Sequence, residues 1–200
     1  MPRLLIVYHS VYGHVARLAE AAAAGAAEVG DTEVVTKRVP ELKSERTIRR
    51  AGGKLQRDVR VAKAADLAEF DAILFGARAR LGSMSAPMRA FLDASVDMWP
   101  RGALVGKLGG AFVSVANSQA GQDLALVGLF ATLLQHGMIV VGLPHEPFRG
   151  MRSEDMAGAS PFGATTVAGS RGERLPAEQE LDVARRQGAQ LASVAKKLHH

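Results

Sequence analysis

The chain lacks cysteine altogether, carries a single tryptophan among 5% aromatics, and contains no apolar run approaching the roughly 20 residues of a spanning helix. Without cysteine there is no disulfide framework, thiolate metal site or sulfur nucleophile, a composition that agrees with a reducing, cytoplasmic setting. Aromatics this sparse offer no stacking platform for single-stranded nucleic acid. The apolar stretch near the N-terminus spans only Leu4 to Tyr8 and no small-residue cleavage site follows it, so a soluble protein without stable membrane insertion is expected. Acid is also the scarcer charge, 20 Asp and Glu against 25 Lys and Arg, for a net charge of +5. Much of that excess lies in Lys37 to Arg60 (KRVPELKSERTIRRAGGKLQRDVR), which has its own acids, a glycine pair and no aromatics. That stretch reads as a solvated, partly mobile excursion, and no nucleic-acid partner is expected.

What is present suits one domain. Two hundred residues at 48% hydrophobic content can cover both faces of a sheet; the expected unit is 1–198, with His199 and His200 set aside as a tag remnant. Apolar runs at Leu4–Tyr8, Asp71–Gly76, Gly109–Ala116 and Met138–Leu143, together with Glu33–Val39, read as five strands. Helical spacing recurs at Val15–Val29, Met84–Met98, Gly121–Gln135 and Pro176–Leu198. Strands apolar along their whole length, alternating with helices, predict an α/β doubly wound parallel sheet of order 2-1-3-4-5 with helices on both faces. The pieces at about 40–66 and 144–175 read as irregular.

In such a sheet ligands sit at the carboxyl ends of the strands, around the switch between the first and third. Three polar or glycine-bearing loops end there: HSVYGH, GARARLGSM and ANSQAGQD. In the first, free amides at a helix start would hold a phosphate, with Gly13 admitting a close approach and Ser10 adding a hydroxyl. Ser10 as a plain helix cap explains that loop alone equally well. Arg78 and Arg80, two guanidinia at the ligand end, are expected to face an anion. Other site grammars are absent: one glycine in HSVYGH is no dinucleotide fingerprint, Gly102 to Leu108 has the wrong spacing for a phosphate-binding P-loop, and His9, His14, His136 and His145 lack metal-ligand spacing. No metal is expected.

Several separated motifs, in order from about residue 3 to about residue 195, resemble the WrbA family of flavodoxin-like NAD(P)H:quinone oxidoreductases. They are Ser10-Val11-Tyr12-Gly13-His14, Lys37-Arg38-Val39-Pro40-Glu41, Ala51-Gly52-Gly53-Lys54, Met88-Arg89-x-Phe91-Leu92-Asp93, Gly106-Lys107-Leu108, His136-Gly137-Met138 and Pro161-Phe162-Gly163-Ala164-Thr165-Thr166. The resemblance implies FMN as cofactor, NADH or NADPH and a quinone as substrates, and a homotetramer. It implies that Ser10, Val11, Tyr12, Gly13, His14 and Val15 form the phosphate loop, and that Ala79, Arg80, Leu81 and Gly82 edge the ribityl chain and ring. Ser114, Val115, Ala116, Asn117, Ser118 and Gly121 would run along the pyrimidine side. Tyr12, Trp99 from a neighbouring subunit and His136 would line the substrate space, with His136 donating a hydrogen bond or proton to the quinone. The implied chemistry is a hydride relay from nucleotide to flavin to quinone.

Two loops depart from the family pattern. Where the family commonly has Thr-Pro-Thr-Arg-Phe-Gly-Asn-Met, this chain has Ala77-Arg78-Ala79-Arg80-Leu81-Gly82-Ser83-Met84, and the later Ser-Thr-Gly-Thr stretch is replaced by Ser114-Val115-Ala116-Asn117. The family tyrosine after the fifth strand aligns with His145. These losses of side-chain donors motivate a second reading, a flavodoxin-like scaffold or electron carrier with weakened or lost FMN binding.

Overall fold

The structure, a computed structural model, describes residues 1–117, 121–144 and 159–198. Its sheet is built from strands β1 (Arg3–Tyr8), β2 (Glu33–Arg38), β3 (Ala72–Arg80), β4 (Ser83–Met84), β5 (Leu108–Val115), β6 (Ile139–Val140), β7 (Ala159–Ser160) and β8 (Gly163–Val167). The helices are α1 (His14–Ala27), α2 (Glu45–Arg50), α3 (Ala86–Asp93), α4 (Gln122–Gln135) and α5 (Glu178–Leu198). Strand order is β2-β1-β3-β5-β8-β7, the first five mutually parallel. The doubly wound α/β architecture expected from the alternating apolar runs is therefore the one observed.

Pleating assigns the two faces. Leu4, Ile6 and Tyr8 point to a core made with α1 and α5, whereas Leu5 and Val7 point to one made with α3 and α4. Tyr8 is buried deeply enough that its phenol pKa is pushed up to about 12. The alanine-rich sequence of α1 has a purpose in the first core: Gly25 faces the Arg185 backbone and Gly188 of α5 faces the Ala22 backbone, so the helices touch main chain to main chain.

Two expectations are corrected and a third is refined. The fifth strand does not run through Met138–Leu143; only Ile139 and Val140 pair with the start of β5, and the far half of β5 pairs with β8, inside a stretch read as irregular. Where the chain changes over, buried Gln187 of α5 replaces ladder bonds, accepting from the Ala164 amide at 3.0 Å and donating to the Ala111 carbonyl at 2.8 Å. The helix expected over Met84–Met98 ends at Asp93; the Ser95 hydroxyl donates to the Leu92 carbonyl, and a 3-10 turn over Val96–Arg101 follows. Finally, Lys37–Arg60 is largely solvent-exposed, as expected, yet its backbone is tied down. Ser44 caps α2, Lys54 N donates to Val11 O at 2.6 Å and Arg38 N to Arg60 O at 2.9 Å, which folds this segment over the carboxyl end of the sheet.

Candidate functional site

A cleft of about 590 Å³ lies at the carboxyl end of β1, β3 and β5, within the size range of small-molecule and cofactor sites. Its floor is the turn from β1 into α1. Gly13 caps α1 with φ +97, a left-handed conformation that favours glycine, and a β-carbon there would meet nothing within 4 Å. Ser10 Oγ accepts from the Gly13 and Ala16 amides, each at 3.2 Å. Both readings of Ser10 are thus compatible, because an oxygen that accepts twice keeps its own hydrogen to donate. Among the described residues, the His14 and Val15 amides of the first helical turn have no partner, and their orientation with the helix dipole favours an anion.

The walls come from distant parts of the chain. His14 donates from Nε2 to the Arg174 carbonyl at 2.9 Å, and burial lowers its pKa. The Arg174 guanidinium pairs with buried Glu180, which also accepts from Thr166 Oγ1 and the Ala177 amide. This network holds Ala168 to Gly172 against the first loop, where Gly172 lies beside Tyr12. On the other side His9 is buried between Ser85 Oγ, 2.8 Å from Nδ1, and Glu41 Oε2, 3.2 Å from Nε2. Desolvation lowers the His9 pKa against the opposing pull of Glu41. Arg78 stands over the Tyr12 ring at 5.7 Å, with its Nε buried and without a hydrogen-bond partner.

Of the expected site residues, Ser10, Val11, Tyr12, His14, Val15, Ala79, Arg80, Ser114, Val115 and Ala116 line this cleft. Gly13 shapes its floor. Leu81 is 98% exposed in the tight β3–β4 turn at φ +52, and Gly82 packs against Gly121, so these two glycines join neighbouring loops. Asn117 is exposed just beyond β5. Ser118 and His145 lie outside the described residues. His136 and Trp99 are not in the cleft of their own chain. His136 ends α4, three residues before Ile139 pairs with Leu108 at the start of β5, and Trp99 Nε1 donates to Gln135 O at 2.6 Å. They sit together a helix length away, about 20 Å for 14 residues.

Sequence reasoning missed His9, Glu41, Thr47, Ser85 and the Ala168–Gly172 wall. The only available signal was His9's place directly after the first strand, at the switch point of the sheet.

A cleft at the switch point of a doubly wound parallel sheet, floored by a helix start that offers amides to an anion, defines a flavodoxin-like nucleotide-binding protein. The residues fit FMN: free amides, the Ser10 hydroxyl and the unpartnered Arg78 Nε suit a terminal monophosphate, while Ala79, Met84 and Val115 give the cleft an apolar side. A family model for NADPH-dependent FMN reductase matches residues 3–145. The NAD(P)H dehydrogenase (quinone) of Geotalea daltonii is 45% identical over 98% of both chains, and that of Syntrophus aciditrophicus 46% identical over 98% of both. Among solved structures, a WrbA-like flavodoxin from Agrobacterium tumefaciens is 25% identical with a TM-score of 0.60, covering 98% of this chain and 99% of that one. Flavodoxin 1 from Bacillus cereus, 16% identical with a TM-score of 0.62 over 96% of this chain and 97% of that one, shares the fold. The chain belongs to the NADPH-dependent FMN reductase family, in its WrbA-like branch.

Proposed function

We propose that the protein is an FMN-dependent oxidoreductase that uses NADH or NADPH to reduce quinones by two electrons. The observation that carries this reading is the anion seat at Ser10–Val15, placed at the switch point of the sheet beside an open cleft. Bound FMN would supply hydride acceptance and delivery. The chain supplies position: the His14 and Val15 amides and the Ser10 hydroxyl hold the phosphate, and Ala79, Arg80 and Ser114 to Ala116 border the ring end. The test is titration of the apo-protein with FMN and FAD, followed by NADH and NADPH oxidation with a soluble quinone. FMN should bind in preference to FAD, because the described residues offer no second nucleotide-binding unit for an adenylate. Absence of FMN binding, or a flavin reduced by dithionite and by neither nucleotide, overturns the reading.

The working unit in this reading is a cytoplasmic homotetramer, in which Trp99 and His136 complete the cleft of a neighbouring subunit. Support comes from their distance from their own cleft and from the exposed apolar side chains around them, Val96, Trp99, Val105, Leu134 and Ile139. Zero cysteine content suits a reducing compartment, and no helix among the described residues is long and apolar enough to cross a membrane. Light scattering on flavin-saturated protein should give four copies; a monomer at all concentrations overturns this assembly.

A further inference from the structure

Arg78 stands between Ala77 and Ala79, neither of which has a side-chain hydrogen-bond donor. It extends from the end of β3, in register with Ser114 of β5, into the cleft and over the Tyr12 ring of the first loop. The ring face attracts the charge but offers no lone pair to the guanidinium N–H bonds. Its Nε is buried without an acceptor, and no carboxylate among the described residues pairs with the side chain. The one acid that lines the cleft, Glu41, is engaged by His9, whereas Lys43 and Arg80 add further positive charge. A desolvated guanidinium N–H left without an acceptor is costly, and an oxyanion arriving in the cleft relieves that cost. A guanidinium fork matches a phosphate better than a carbonyl or hydroxyl does.

Building on the FMN reading above, we propose that Arg78 is a phosphate-binding residue, which turns a seat made of neutral amides into a charged one. The guanidinium thereby supplies a side-chain donor at a stretch where Ala77 and Ala79 offer none. Recognition shifts from many weak hydrogen bonds toward a single ion pair, so the site selects a flavin carrying a monophosphate dianion over the same flavin without it. Binding becomes dependent on ionic strength.

The test is fluorescence titration of apo-protein with FMN and with riboflavin, at low and high salt, for wild type, Arg78→Ala and Arg78→Lys. Arg78→Ala should lower FMN affinity by roughly ten- to a hundred-fold and leave riboflavin affinity within about two-fold. Its salt dependence should flatten. Arg78→Lys should keep the salt dependence and recover only part of the affinity, since a point charge cannot bond as a fork. The riboflavin comparison within each variant separates a phosphate contact from a folding defect. Equal losses for both flavins overturn the proposal in favour of a packing role. Unchanged FMN affinity in Arg78→Ala overturns it while leaving the cofactor reading intact, and failure of wild type to bind either flavin overturns both. If Arg78→Ala keeps FMN affinity and instead loses discrimination between NADPH and NADH, the anion is the nucleotide's 2′-phosphate and the proposal is again overturned.

Discussion

His136 Nε2 lies 2.9 Å from the Ser95 hydroxyl, and that hydroxyl donates its only hydrogen to the Leu92 carbonyl 2.6 Å away. The ring nitrogen must therefore be the donor, so neutral His136 carries its proton on Nε2. Burial lowers its pKa, which favours the neutral ring. Ser95 thus acts as a positioning residue that fixes the tautomer.

If Nδ1 of a neighbouring subunit's His136, an acceptor in the neutral ring and a donor once the ring is protonated, faces the quinone, His136→Ala should slow quinone-dependent flavin reoxidation by roughly ten- to a thousand-fold and leave FMN affinity nearly unchanged. Ser95→Ala keeps the ring and frees the tautomer, so it should alter the pH profile of reoxidation more than its plateau. Stopped-flow measurement of the two half-reactions reads both effects. Wild-type reoxidation by His136→Ala would reduce the residue to a cap on α4.

Gly13 makes a sharper claim about the floor of the cleft. At φ +97 a side chain is strained, and a β-carbon projects into open space where the ligand phosphate would sit. Gly13→Val should weaken FMN binding and cost about 1–2 kcal/mol of stability, the usual penalty for an L-residue in this region. Calorimetric titration beside thermal melting measures the two losses. Full FMN affinity in the valine variant would place the phosphate elsewhere.

The parts of this molecule that were legible in sequence are those where one local signal suffices. β1, β3 and β5 are buried on both faces, so unbroken apolar runs mark them, and the HSVYGH break marks the turn into α1. β8 escaped because the two threonines of Gly-Ala-Thr-Thr-Val break any apolar run: Glu180 accepts the hydroxyl hydrogen of Thr166, while buried Thr165 Oγ1 has no partner among the described residues. The α2 segment hid among charges, its single buried side chain being Ile48. His9 carried no signal beyond its place in the loop after the first strand, since its partners, Glu41 and Ser85, stand 32 and 76 positions away. Arg78 was visible as a charge; that its Nε is buried and unpartnered is a property of the folded cleft alone.

Acidification should destabilise the fold. Burial lowers the pKa of His9, His14 and His136, against smaller raising effects of Glu41 on His9 and of the Arg174 carbonyl and Glu180 on His14. The folded chain therefore binds fewer protons than the unfolded one once pH drops below the ordinary imidazole value of about 6.5. Stability is fully present above that value and is lost as pH falls, by up to about 1.4 kcal/mol per pH unit for each imidazole that stays neutral. Melting temperatures between pH 7.5 and 5, about one unit above and one and a half below the imidazole value, should show this decline. His14→Gln, which keeps an N–H for Arg174 O, should lessen it; a flat profile in wild type would contradict the burial of these rings.

Glycine-to-alanine substitution at two helical positions should give opposite signs. A methyl group at Gly188 runs into the carbonyl oxygen and backbone carbons of Ala22, and main chain cannot swing aside as a side chain can. Gly188→Ala must then push α5 off α1, at a cost of about 1–3 kcal/mol for overpacking that outweighs the gain in helix propensity of about 0.5–1 kcal/mol. Gly128, exposed on α4, meets nothing within 4 Å. There the propensity gain stands alone, and Gly128→Ala should stabilise the protein by about 0.5–1 kcal/mol. Urea unfolding of both variants tests the contrast: a Gly188→Ala protein as stable as Gly128→Ala would mean that the two helices do not meet backbone to backbone.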